Sequence, residues 1–254
     1  MRIILLLALS SLSLITTSSF ALVRTTLSVC GDGASWPPYH FAKDGKVIGY
    51  DVDILDAIFK PLGVSVDTEL PPWQRCLYET QAGRYDIALS AAYSEDRDRD
   101  YILTDYYYTL QPSYVYSSIT YPDGLPVNSA KDLDKLRVCG LRGYNYTAIG
   151  VDDSKVRKNA NNYGQAVRML EAERCDVFLA RYEILVGFNA SEGIDHLANG
   201  LKAVSIPGIS GDKFYMLISR AIPDGEQIKA TFNTRIQELR ATGELDVMIN
   251  KYLD

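Results

Sequence analysis

Trp36-Pro37-Pro38-Tyr39, Gly49-Tyr50-Asp51-Val52-Asp53, Pro72-Trp73-Gln74-Arg75-Cys76, Gly83-Arg84-Tyr85-Asp86-Ile87-Ala88-Leu89-Ser90 and Ser94-Glu95-Asp96-Arg97 follow one another along the chain. Read in order, they are an aromatic-proline turn, a helix start, a Trp-led helix, a buried-type strand and one arginine. Together they describe a cleft wall. Flat aromatic faces there can stack on a small ligand, and a guanidinium can hold a carboxylate through two parallel hydrogen bonds.

The periodicity on either side is that of alternating strands and helices. Thr26–Cys30 is a short β-prone run. From Asp51, Ile54, Leu55, Ile58, Phe59 and Leu62 make a helical stripe that Gly63 ends. Residues 64–70 alternate as a strand does, Pro72 suits a first helical turn, Leu77 faces inward and Gly83 is a stop signal. Residues 86–90 form a short apolar run between polar flanks, as in a parallel core strand. The pattern then repeats. Residues 136–141 read as strand, 163–173 as helix with Val167 and Leu170 inward, and 176–180 as strand. Residues 227–240 are amphipathic, with Ile228, Phe232, Ile236 and Leu239 on one face. Two such units predict two α/β lobes with ligand space between them, since concave sites favour domain interfaces.

At the N-terminus, Arg2 precedes an apolar run from Ile3 to Ile15, and Ser19-Phe20-Ala21 supplies small residues where a signal peptidase reads. Residues 1–21 read as a signal peptide cut before Leu22, which predicts export to the periplasm. A membrane span needs ~20 apolar residues, more than this run offers. The net charge of the full chain is −6, and only two histidines are present. With no basic stripe to release counterions from phosphates, nucleic acid is not an expected partner. Four cysteines in an exported chain read as two disulfides, for which three pairings exist. No metal site is expected, because no Cys-x-x-Cys pair exists and His40 and His196 have no cysteine close in sequence.

The quoted constellation resembles the family 3 extracellular (periplasmic) solute-binding proteins of the polar amino-acid ABC transporter type, in a divergent form. The likeness extends to Lys213-Phe214-Tyr215-Met216-Leu217-Ile218, similar to the family's return strand. Phe232-Asn233 and the run from Gly243 to Leu253 are similar to its C-terminal helix pair. The resemblance implies a type II-like two-lobed fold, with two parallel or mixed sheets flanked by helices and joined by a two-stranded hinge. It places residues 22–112 in lobe 1, 113–211 in lobe 2 and 212–254 back in lobe 1, with crossings near 108–113 and 209–214. Of the three cysteine pairings, Cys30–Cys76 with Cys139–Cys175 is the one that keeps both bonds within a lobe and leaves the hinge free. The resemblance further implies a monomer that captures a small carboxylate-bearing ligand and serves an ABC permease, without a cofactor.

Residue by residue, Arg97 stands where the family's Thr-x-x-Arg motif puts the arginine that grips the ligand carboxylate, with Ser94 in place of Thr. Ser90 ends the preceding strand, where its hydroxyl could donate to the same carboxylate. Trp36 and Trp73 match the two positions that sandwich the ligand, and Tyr39 and Tyr93 are weaker candidates. In lobe 2 the loop Arg142-Gly143-Tyr144-Asn145-Tyr146 is expected to offer backbone amides at a helix start, chiefly around Gly143 and Tyr144.

Two departures stand out. The family's carboxylates for a ligand ammonium fall on Gly33 and Arg181, with Asp32 and Glu183 one and two residues away. An arginine at such a place repels an ammonium strongly in a closed site. The ligand expected from this register therefore carries two anionic groups, or one carboxylate with neutral polar groups. Two alternatives use the same fold: a dehydratase-like enzyme and a stand-alone ligand sensor. Against the enzyme, no Ser/His/Asp or Cys/His constellation is evident, and neither histidine falls in the motifs above.

Overall fold

Thr26–Cys30 (β1) pairs in parallel with two later strands, each reached through a helix. This is a computed structural model describing residues 24–253, so the signal-peptide reading for residues 1–21 lies outside the described residues. After β1 come a small hairpin, β2 (Phe41–Lys43) and β3 (Lys46–Ile48), and then α1 (Tyr50–Phe59). The aromatic-proline turn caps α1, because Pro38 and Tyr39 carbonyls accept from the Tyr50 and Asp51 amides at 3.1 and 2.8 Å. The Ile54, Leu55, Ile58 and Phe59 stripe is buried as expected, whereas Leu62 is exposed. Pro61 has no amide to continue the ladder, and Lys60–Leu62 tightens into a 3-10 turn before Gly63.

The first lobe continues through β4 (Ser65–Glu69), α2 (Trp73–Gln81), β5 (Ile87–Ala92), α3 (Glu95–Asp100), β6 (Tyr101–Leu103) and β7 (Tyr108–Leu110). The second contains β8 (Pro112–Ser117), α4 (Ala130–Leu133), β9 (Val138–Leu141), β10 (Arg157–Ala160), α5 (Tyr163–Glu171), β11 (Val177–Arg181), α6 (Tyr182–Glu192) and β12 (Leu201–Ser205). β13 (Asp212–Ser219), α7 (Gly225–Ala241) and α8 (Glu244–Asn250) return to the first.

The strand orders are β4-β1-β5-β13-β6, with β7 also on β13, and β10-β9-β11-β8-β12. Each sheet is mixed: parallel where helices cross over, antiparallel where β13 or β8 enters. The chain changes sheet between Leu110 and Pro112 and again between Ser205 and Asp212. The two crossings are neighbours, because Asp212 pairs with Leu110 across β13 and β7. Cys30–Cys76 ties β1 to α2 and Cys139–Cys175 ties β9 to the turn just before β11, so each disulfide stays on one side of the crossings.

One apolar cluster joins both lobes. Trp36 meets Tyr144 and Tyr163 of the second lobe at ring-centroid distances of 5.6 and 6.4 Å, and Phe214 of the first at 5.6 Å. Among the described residues, no helix is long and apolar enough to cross a membrane.

Candidate functional site

Where the two sheets face each other, the strand ends and their loops enclose a cavity of ≈30 Å³, room for about two waters. The first lobe contributes Trp36 from the proline turn, Trp73 from the start of α2, Ser90 and Ala92 from β5, and Arg97 from α3. The second contributes Tyr144 and Asn145 from the loop after β9, and Arg181 from the end of β11. Asp32, His40, Leu89 and Phe214 complete the lining.

Arg97 owes its position to local capping. The Ser94 hydroxyl accepts from the Arg97 amide at 3.2 Å, so serine performs the N-cap role open to threonine in the motif. The rest of the charged run stays at the surface, where Arg99 pairs with Asp96 and Asp100. Arg97 alone turns inward. Its Nη1 donates to the Ala92 carbonyl at 2.7 Å, and its guanidinium carbon lies 5.7 Å from the Trp73 ring centroid. Among the described residues no carboxylate pairs with it. Burial lowers its pKa to about 10, with nearby Arg181 pushing the same way, and it remains charged at neutral pH.

Arg181 lies inside the cavity wall, 2% exposed. Its Nη2 donates to Asp212 Oδ2 at 2.5 Å, and its guanidinium carbon lies 5.6 and 5.7 Å from the Tyr146 and Phe214 ring centroids. Its buried Nε has no hydrogen-bond partner among the described residues. Burial works against its charge, but the Asp212 carboxylate outweighs burial and raises the pKa.

The acid of the cavity is Asp32, one of the two near misses, and not a residue at position 33. Its Oδ2 accepts from the Tyr144 hydroxyl at 2.6 Å and its Oδ1 from the Ala34 amide at 2.9 Å. Burial raises its pKa against both bonds. Gly33 backs onto the Leu70 and Pro71 carbonyls, so a side chain has no room there. Glu183, the second near miss, accepts from the Gln111 amide at 2.9 and 3.0 Å and so buttresses a crossing strand.

Four other expectations need correcting. Ser90 faces the cavity, but its hydroxyl donates to Asp51 Oδ2 at 2.5 Å and accepts from Tyr108 at 2.6 Å, leaving no proton for a ligand carboxylate. Ser90 adopts φ 55° where the β5–β13 register shifts, and such a bulge re-aims a side chain. Tyr39 stacks on Tyr108 at 4.0 Å, in core behind the cavity. Tyr93 is 41% exposed beside Tyr215, outside the cavity. In the lobe 2 loop two of the amides are spent locally, since the Tyr144 amide donates to the Leu141 carbonyl and the Arg142 amide to the Ala160 carbonyl. The segment enters only a 3-10 turn (Thr147–Ile149), not an α-helix. Gly143, at φ 80°, lets the loop press against Trp73 and Gln74, where a Cβ would fall 2.8 Å from Gln74 Cγ.

The sequence motifs single out neither His40 nor the network around it. Asp51 is wholly buried and accepts from His40 Nδ1 at 2.7 Å, Ser90 at 2.5 Å and Tyr107 at 2.8 Å. The Asp32 amide donates to His40 Nε2 at 3.0 Å, which makes His40 the neutral Nδ1–H tautomer. A Ser, a His and an Asp thus do meet. The carboxylate sits between the other two, however, and no imidazole nitrogen faces the serine hydroxyl. The one signal for His40 was its place directly after the aromatic turn. His196 packs away from the cavity against Tyr163 and Phe188, and burial lowers its pKa.

The model for the bacterial extracellular solute-binding proteins, family 3, matches residues 28–254. The chain belongs to that family. It is 24% identical over 233 residues to a "probable histidine-binding protein" of Campylobacter jejuni, covering 90% of this chain and 86% of that one. It is also 24% identical over 155 residues to the L-cystine-binding protein TcyA of Bacillus subtilis, where the match spans 61% of this chain and 56% of TcyA. Among solved structures, an ancestral arginine-binding protein bound to arginine superposes with a TM-score of 0.71 at 21% identity, covering 91% of this chain and 99% of that one. At that identity the likeness speaks for the two-lobed fold.

Proposed function

We propose that this family member is a periplasmic receptor. It captures a small carboxylate-bearing solute, an amino acid or related organic acid, between its lobes by hinge closure, and delivers it to an ABC importer. The observation that carries the reading is Arg97: a buried, charged guanidinium in the cavity wall, bonded to one carbonyl, with several N–H donors left over. A carboxylate in that position gains charge-assisted, two-point hydrogen bonding where water is excluded. Trp36 and Trp73 supply apolar faces for the ligand body, and Asp32 is the acceptor for an ammonium.

The neighbouring crossings at Leu110–Pro112 and Ser205–Asp212 suit a hinge, in which few backbone torsions move two packed bodies. Transformation of the ligand is not part of the proposal. The Ser90 hydroxyl is held by Asp51 and His40 Nε2 by the Asp32 amide, so neither is poised for nucleophilic or acid–base work. The test is a thermal-shift screen of the purified protein against amino acids, organic acids and sugars. A ligand at about 100-fold excess over Kd stabilises the folded state by about 2.7 kcal/mol. The reading expects carboxylates to shift the transition. A response confined to uncharged sugars contradicts it.

A further inference from the structure

Arg181 gives the cavity a second, incompletely used cation. It is the last residue of β11, it is 2% exposed, and it lines the same small cavity as Arg97. Of its N–H donors, one is taken by Asp212 and the buried Nε by nothing. The remaining polar groups add little for a ligand to donate to. The His40 nitrogens and the Ser90 hydroxyl are engaged, and the Asn145 carbonyl oxygen is occupied by the Thr147 amide and hydroxyl. Among the described residues, Asp32 is the one acidic acceptor on the wall. The cavity is therefore rich in donors and cations, with a lone site for an ammonium.

We infer that the ligand carries two carboxylates, one held by Arg97 and the other by Arg181, as in an acidic amino acid or a small dicarboxylic acid. The inference rests on the capture reading above and adds the ligand's charge pattern. A second carboxylate satisfies the unpartnered Nε and balances the second guanidinium. A cationic side chain would instead face two buried positive charges at short range, where water screens poorly. Asp212 neutralises Arg181 in the unliganded wall, so the pair stays tolerable in the interior until the ligand adds its own acceptors. The acidic and the amine-free ligand differ only at Asp32, which rewards an ammonium and offers nothing to a plain dicarboxylate.

The test is calorimetric titration of the whole protein with L-glutamate, L-glutamine, L-arginine and succinate, in the wild type and two variants. Glutamate and glutamine are nearly isosteric and differ by one charge. The wild type is expected to bind glutamate about tenfold or more tightly than glutamine, with arginine weaker still. Succinate binding close to glutamate identifies a dicarboxylic acid as the ligand type, and much weaker binding identifies an acidic amino acid.

Substituting Arg181 alone strands Asp212 without its cation, so Arg181→Met is combined with Asp212→Asn to keep the interior neutral. In that variant the glutamate-to-glutamine ratio should fall to about one or below. Asp212→Asn alone leaves Arg181 uncompensated and should raise the ratio. Glutamine or arginine binding as tightly as glutamate to the wild type overturns the inference, as does an unchanged ratio in a folded double variant. If that tight glutamine binding is lost in Arg97→Ala, the capture reading survives the failure. If none of the four ligands binds the wild type, the inference falls, and the thermal-shift screen decides the capture reading separately.

Discussion

Tyr144 of the second lobe donates its hydroxyl proton to Asp32 of the first, 2.6 Å away, across the mouth of the cleft. The bond is charge-assisted while Asp32 is ionised, and the Tyr144 ring packs edge-on against Trp36 at 5.6 Å. The latch thus occupies the same carboxylate that a ligand ammonium would need. Closing and binding draw on one acceptor.

Replacing Tyr144 by Phe keeps the ring contact and removes the bond. A hydrogen bond to a charged group contributes about 1.5–3 kcal/mol, and its loss should shift the ligand-free protein toward open lobes. Small-angle scattering should record a larger radius of gyration for Tyr144→Phe. An unchanged radius would show that the bond does not hold the lobes together.

Gly187 provides a second, steric test of closure. It lies within α6, and a Cβ there would come 2.3 Å from the Pro37 carbonyl oxygen of the opposite lobe. Only glycine permits that approach. Gly187→Val should prop the cleft open and weaken ligand binding by roughly tenfold or more, while the melting temperature of the ligand-free protein changes little. Equal affinities for variant and wild type would mean that the lobes do not meet at Pro37 in the bound state.

Asp176 makes a pH prediction. Arg137 holds its carboxyl at about 2, chiefly through the side-chain bond, with the Arg137 amide and the Tyr121 hydroxyl assisting. The folded value lies below the unfolded one. The stabilisation is therefore present above about pH 4 and is lost as pH falls toward about 2. Asp176→Asn should flatten the acid-side fall in melting temperature over that window. At neutral pH it should lower the melting temperature by about 2–4 °C, as expected for about 1 kcal/mol in a chain of this size. An identical acid limb in the variant would remove Asp176 from the account.

Much of the fold is legible because burial imposes a period. The stripe of α1 and the inward residues of α5 and α7 each face one direction, and β5 and β11, buried on both faces, read as near-continuous apolar runs. The hairpin β2–β3 escapes such reading, since its strands of three residues are too short to alternate. α3 escapes because all six of its residues are charged and Arg97 alone is buried, so nothing but the Ser94 cap announces a helix.

At the site, the sequence motifs point to which residues meet, on loops and regular elements alike, but not to where their polar groups aim. Arg97, Trp36, Trp73, Tyr144 and Arg181 line one cavity. Asp32 lies one position from the expected acid because the loop after β1 has no period to fix its register. The direction of the Ser90 hydroxyl depends on a bulge set by β13, more than 120 residues away in sequence. Only tertiary structure reveals it. Among 18 tyrosines, nothing in the sequence separates those that stack in core, such as Tyr39, from those that face the cleft.

Arg97 carries the central claim, and calorimetry of Arg97→Ala against the best carboxylate ligand found by screening tests it most directly. Circular dichroism should show an intact fold, because the side chain makes one hydrogen bond to protein, to Ala92. Binding should weaken by about 3 kcal/mol or more, the cost of truncating one partner of a buried charge pair. A dissociation constant equal to that of the wild type would contradict capture of a carboxylate at Arg97.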